Sequence, residues 1–270
     1  MEKINFFEEF EKKWLIDFIK KDTVLISYPK SGRTWLRMIL ATILDKSDIN
    51  ISKYEMLPAF HHSPREMVSK FGNNCKSLKI VFLYRDPGDV ILSLYAAMAT
   101  SSKHDSRLGV HYVGSRSSFI RGNVVPDGAD HDTEIVDWNK GFGINKIIKY
   151  NNQWHVALKH FKDSKVITYE DIHSDTFKTI KDLLDWLNFD CSDEIIKEAI
   201  KHSEFENMHK IEHGHGKNNL EHYKGSFGNS HQKKGRVRQG KVRAYLDDLS
   251  EEELEYVMEM KKKSLWSQNG

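Results

Sequence analysis

A three-layer α/β fold, in which a mainly parallel central sheet is flanked by helices, is the architecture the sequence predicts, and three stretches predict it. Thr23-Val-Leu-Ile-Ser27 is a β-type apolar run that passes through the turn Tyr28-Pro-Lys-Ser-Gly-Arg33 into the helical pattern Leu36, Ile39, Leu40, Ile43. Lys79-Ile-Val-Phe-Leu-Tyr84 repeats the plan, with Asp86 placed to cap the next helix and Pro87 to open it. A helix carrying Ile144, Ile147, Ile148, Trp154, Leu158 and Phe161 then precedes a third strand over 165–171. Strands alternating with helices are joined by crossovers, which makes them parallel and covers both faces of the sheet.

The chain has 270 residues and no Pro/Gly/Ser-rich linker, which predicts one domain over 1–270. Charged residues make up 30% of it, yet the formal net charge is only +2, so no global field marks a nucleic-acid partner. Any basic site is local. Cys75 and Cys191 lie far apart, outside any disulfide or zinc spacing, which fits a reduced, cytoplasmic setting. No apolar run approaches the roughly 20 residues of a membrane span, and no signal-peptide hydrophobic region is seen.

Taken in order, residues 5–20 place Phe6, Phe7, Phe10, Trp14, Phe18 and Ile19 at helical spacing, an amphipathic helix beside the first strand. The turn after that strand sets Gly32 before a helix start, where free N–H groups and the helix dipole favour an anion. Lys30 adds a cation there, and Ser31 and Thr34 add hydroxyls. An ordinary Walker loop is not present, since Gly32 is followed by Arg33-Thr34-Trp35 and not by Lys-Ser/Thr. The proline-bounded stretch Pro58-Ala-Phe-His61-His62-Ser-Pro64 is a turn with two candidate bases, because an imidazole titrates near neutrality. Arg85 follows a strand end, at the carboxyl edge where α/β ligands bind. Ser93, seven residues after Asp86, returns to the same face of the next helix, and Arg85 with Ser93 can hold a second phosphate.

From 99 to 140 the pattern dissolves into Ser, Gly, His and Asp, a stretch read as a functional lid or a disordered segment. Its Asp/His clusters have no helical i, i+4 pair with a third ligand, so no metal is expected. Helices follow on Phe177, Ile180, Leu183, Leu184, Leu187 and on Ile195, Ile196, Ala199, Ile200. Between His222 and Leu246 no acidic residue occurs, while Lys224, Lys233, Lys234, Arg236, Arg238, Lys241 and Arg243 do, a run that alone suits a polyanion-binding arm. Ser250-Glu-Glu-Glu253 is a capping box that opens a last helix.

Tyr28-Pro-Lys-Ser-Gly-Arg-Thr-Trp35 closely resembles the 5′-phosphosulfate loop of sulfotransferases that use 3′-phosphoadenosine 5′-phosphosulfate (PAPS), whose usual form has Thr where this chain has Arg33. The match continues in order along the chain. His62-Ser63-Pro64 resembles the family's catalytic His-x-Pro, although Phe60-His61 replaces its Lys-Thr and keeps His61 as a rival. Arg85 and Ser93, eight residues apart, resemble its 3′-phosphate motif. Tyr169-Glu170-Asp171 resembles its Tyr-Glu-Asp beside the adenine. Ser203-Glu-Phe205-Glu-Asn-Met208 is similar to its Ser-Phe-x-x-Met-Lys, and Lys233-Lys234-Gly235 to its Arg-Lys-Gly over the 3′-phosphate. The downstream Gly-x-Trp-Lys is out of register, with Arg238 where the glycine is expected and Gly240 two places late.

The resemblance implies a P-loop NTPase-like fold and a cytosolic-type sulfotransferase that moves a sulfuryl group from PAPS to a hydroxyl or amine of a small-molecule acceptor, leaving PAP. It further implies His62 as general base, Lys30 on the bridging and departing oxygens, and Ser31, Gly32, Arg33, Thr34 and Trp35 around the 5′-phosphate and adenine. Arg85, Ser93, Tyr169, Ser203, Phe205, Lys233, Lys234 and Gly235 would complete the cofactor site, with no metal. Two other classes compete with this reading. An ATP-dependent small-molecule kinase would use Asp86 or Asp89 for magnesium, and a non-enzymatic polyanion-binding protein would use 222–246 but leave His62, Arg85 and Ser93 without a role.

Overall fold

The computed structural model describes residues 23–47, 59–60, 63–99, 114–123, 142–212 and 240–266. The helix expected at 5–20 lies outside them. Strands β1 (Thr23–Ser27), β2 (Ala59–Phe60), β3 (Lys79–Tyr84) and β4 (Asp163–Thr168) form one parallel sheet in the order β2-β1-β3-β4. Its register pairs Leu25 with both Ala59 and Val81, and Val81 with Lys165.

Alternate residues of the two central strands bury against opposite layers, as a two-sided parallel sheet requires. Val24, Ile26, Ile80 and Phe82 face a core shared with helices α3 (Pro87–Ala99) and α5 (Ile144–Ala157), where Phe82 packs near Trp154 and Trp266. Leu25, Val81 and Leu83 face the other core, made with α1 (Arg33–Lys46), α6 (Tyr169–Ser174), α7 (Thr176–Leu187) and α8 (Asp193–His202). The three-layer α/β expectation holds. It positions the site because all four strands point their carboxyl ends at one edge.

Three local expectations change. The strand expected over 165–171 stops at Thr168, whose hydroxyl accepts from the Asp171 N–H at 2.9 Å while the Asp171 carboxylate accepts from the Thr168 N–H at 3.3 Å. This reciprocal cap turns the chain into α6 and makes Tyr169 its first residue. Ser63 is likewise the cap of a helix not foreseen, α2 (Pro64–Phe71), paired with Glu66 and opened by Pro64. Inside the 99–140 stretch, α4 (Arg116–Arg121) forms a short helix. It docks by a two-nitrogen contact of Arg116 with Glu253 on α10 (Glu251–Lys261), the last helix, which does begin at the expected capping box.

Candidate active site

β1 ends at Ser27 and the chain turns sharply, with Lys30 at φ 71° and Gly32 at φ 95° both in the left-handed region. The Ser31 N–H donates to the Tyr28 carbonyl at 3.3 Å, and the Gly32 carbonyl accepts from Trp35 at 2.9 Å and Leu36 at 3.2 Å to start α1. Its N-cap, Gly32, has no side chain with which to cap that helix start. The ring of Tyr169 lies directly on the turn, since a β-carbon on Gly32 would fall 2.5 Å from its Cδ2. Trp35 meets the same ring edge-on at 5.6 Å. Glycine at position 32 is therefore required twice, by conformation and by contact. Gly32→Ala is expected to lower stability by about 2 kcal/mol or more, from the left-handed backbone and the displaced ring together. A thermal melt checks it, and an unchanged midpoint would show that the turn is not held as described.

Arg85 leaves the end of β3 and reaches across the loop. Its Nη1 donates to the Lys30 carbonyl and its Nη2 to the Lys241 carbonyl, each at 3.1 Å, with the guanidinium 4.0 Å from the Tyr169 ring centre. The Arg85 Nε is buried without a hydrogen-bond partner among the described residues. Asp86 accepts from the Gly88 N–H at 2.8 Å, as a cap should, and also from Lys261 Nζ at 2.5 Å. Lys261 donates to the Tyr245 hydroxyl too, and the Tyr245 ring covers Gly88 so closely that a β-carbon there would lie 2.7 Å from it. Burial works against the charge of Lys261, but Asp86 and the Tyr245 hydroxyl together outweigh it and raise the lysine's pKa. Burial also pushes up the carboxyls of Asp89 and Glu170.

Of the residues singled out in the sequence, Lys30, Gly32 and Trp35 thus meet Arg85 and Tyr169 at one place, and Ser31, Arg33 and Thr34 lie between them in the chain. Ser93 is buried in α3. Phe205, the first residue of α9 (Phe205–Glu212), joins them indirectly, because its ring sits against Gly240, where a β-carbon would lie 3.0 Å from it. Ser203 ends α8 wholly buried, its hydroxyl without a partner among the described residues. His61 and His62, and Lys233, Lys234 and Gly235, lie outside the described residues. Their flanks are placed: Phe60 pairs with Ile26 near the end of β1, and Ser63 caps α2. Asp89, Tyr245 and Lys261 were not singled out as parts of the cofactor site. The four-residue spacing of Arg85 and Asp89 was a legible signal, whereas nothing local announces Lys261.

A family model of the sulfotransferase domain matches residues 55–267. The chain belongs to the sulfotransferase family. The match begins after the Lys30 loop, whose likeness rests on its own residues. Mouse (Mus musculus) sulfotransferase 2A6 is 24% identical over 226 residues, covering 74% of this chain and 70% of that one. Rabbit (Oryctolagus cuniculus) amine sulfotransferase is 25% identical over 250 residues, 82% of this chain and 73% of that one. Among solved structures, mouse sulfotransferase SULT7A1 complexed with PAP superposes with a TM-score of 0.62 at 18% identity, over 93% of this chain and 86% of that one. Retinol dehydratase in a complex with retinol and PAP gives 0.54 at 17%, over 90% and 80%. Both share the fold of this sulfotransferase. Among its described residues no helix is long and apolar enough to cross a membrane, and no group of three or more His, Cys, Asp and Glu could hold a metal ion.

Proposed function

We propose that this sulfotransferase takes its sulfuryl group from PAPS and passes it to a hydroxyl or amine of a small-molecule acceptor, within a single domain over 1–270. The observation that carries the reading is the junction at Arg85, which ties the Lys30 loop to the 240–245 segment beneath Tyr169. PAPS carries phosphates at both ends of its ribose, and these two segments offer cations to each. The fit is supported by the glycine turn at an uncapped helix start and by the buried Arg85 Nε without a partner among the described residues. The 5′-phosphate is assigned to the turn around Gly32 at the start of α1, in which the N–H groups of Ser31 and Trp35 already donate to the Tyr28 and Gly32 carbonyls. Tyr169 and Trp35 flank the adenine side, with Ser203 and Phe205 beyond them. Arg85 and Ser93 take the 3′-phosphate, with Lys233, Lys234 and Gly235 from the basic run.

In the transfer, the acceptor oxygen or nitrogen attacks sulfur as the sulfur–oxygen bond to the 5′-phosphate breaks, leaving PAP. His62 removes the acceptor's proton, with His61 as the rival for that role. Lys30 neutralises charge gathering on the departing oxygen, which is a stabilisation realised mainly in the transition state. The kinase alternative needs Asp86 or Asp89 on magnesium, but Asp86 is held by Lys261 and the Gly88 N–H, and Asp89 by the N–H groups of Arg243 and Tyr245.

A thermal-shift comparison of PAP, ATP with magnesium, and a short oligonucleotide tests the reading. PAP at about 100 times its dissociation constant is expected to add about 2.7 kcal/mol of stability without added metal, because it binds only the folded state. Stabilisation by ATP with magnesium and not by PAP would favour the kinase. Stabilisation by the oligonucleotide alone would favour the polyanion binder.

A further inference from the structure

Asp89 is buried, with 1% exposure, and lies in the first turn of α3, four residues beyond Arg85. Its Oδ2 accepts from the Arg243 N–H at 2.7 Å and lies 3.9 Å from Arg85 Nη2, while its Oδ1 accepts from the Tyr245 N–H at 3.3 Å. Arg85 in turn donates to the carbonyl of Lys241. The backbone of 241–245 is thus gripped by both members of one ion pair, its N–H groups by the acid and a C=O by the base. That backbone is costly to hold, because Arg243 sits at φ 58°, a left-handed conformation that side chains other than glycine's adopt at a penalty. A buried carboxylate opposite two N–H groups supplies the compensation.

The geometry points to Asp89 as the positioning residue of the 3′-phosphate site, holding Arg85 and the 241–245 backbone in one register without touching the ligand. This rests on the reading that Arg85 binds the 3′-phosphate of PAPS. Arg85 has two of its N–H groups committed to carbonyls of two different segments, so its direction depends on where those segments lie. Loss of the Asp89 charge frees Arg243 to leave the left-handed region and releases Lys241 with it. The Lys30 loop keeps its own backbone bonds through Tyr28 and Gly32, so a ligand with a 3′-phosphate is the one that notices the change.

The test is Asp89→Asn, with dissociation constants measured for PAP and for adenosine 5′-phosphosulfate, which lacks the 3′-phosphate. PAP is expected to weaken about tenfold or more, the worth of a hydrogen bond to a charged group, while adenosine 5′-phosphosulfate stays within about twofold. A residue that merely supports the fold would weaken both alike, and equal loss for the two ligands, or no loss of PAP, overturns the inference. Failure of the wild-type protein to bind PAP would instead remove the PAPS reading itself, and this role with it. Should Asp89→Asn not fold, amide hydrogen exchange on the wild type carries the same question. Exchange at Arg243 and Tyr245 is expected to slow on adding PAP and not on adding adenosine 5′-phosphosulfate, and unchanged exchange with PAP overturns the inference.

Discussion

Lys30→Ala is expected to lower turnover by about a hundredfold to a thousandfold, the range seen when one donor to a developing oxyanion is removed. It is also expected to weaken PAP by about tenfold, because a lysine beside the 5′-phosphate acts in the ground state as well. The substitution is clean for a backbone reason. Lys30 sits at φ 71°, and alanine tolerates that conformation no better than lysine, so the backbone strain is unchanged and the loss is confined to the side chain beyond Cβ. The carbonyl that Arg85 grips remains in place. Steady-state turnover with labelled PAPS, over a panel of phenols, alcohols, sugars and amines, measures the first effect, and calorimetry with PAP the second. A weakened PAP with normal turnover at saturating PAPS would leave Lys30 a binding residue without a part in the chemistry.

Much of this site was legible because its signals are local. A β-type run, a turn holding Gly32 and an apolar helix sit within about twenty residues, and the structure returns them as β1, the left-handed turn and α1. The Ser250 and Asp86 caps were legible for the same reason, since a cap is decided by residues one to three places away. The end of β4 is hidden because Val166, Ile167, Thr168 and Tyr169 are all β-type residues, while the decisive bonds run between Thr168 and Asp171. The Ser63 to Glu66 box carries the same kind of local signal, masked by the turn character of Pro64 and the two histidines.

What stayed hidden depends on distance in the chain. Lys261 reaches Asp86 across 175 positions and Arg243 reaches Asp89 across 154. No periodicity reports such pairs. They place the last helix and the 240–245 segment over the start of α3, so the candidate site is closed by the far end of the chain. The out-of-register Gly240 acquires a use there, since its left-handed turn at φ 65° lets Phe205 pack on it.

His62→Ala is expected to lower turnover by about a hundredfold to ten-thousandfold while leaving PAP affinity nearly intact, the usual worth of a general base that acts on the acceptor alone. The contrast with Lys30 is what makes the pair informative. A group that touches only the acceptor's proton contributes nothing to PAP binding, whereas a group on the departing oxygen contributes to both. His61→Ala is the internal control, because Phe60-His61 stands where the family has Lys-Thr and a shift of one residue exchanges the two histidines. A collapse of turnover in His61→Ala beside a nearly normal His62→Ala would move the base to His61. Loss of PAP affinity in His62→Ala equal to its loss of turnover would place the imidazole on the cofactor and end its assignment as the base.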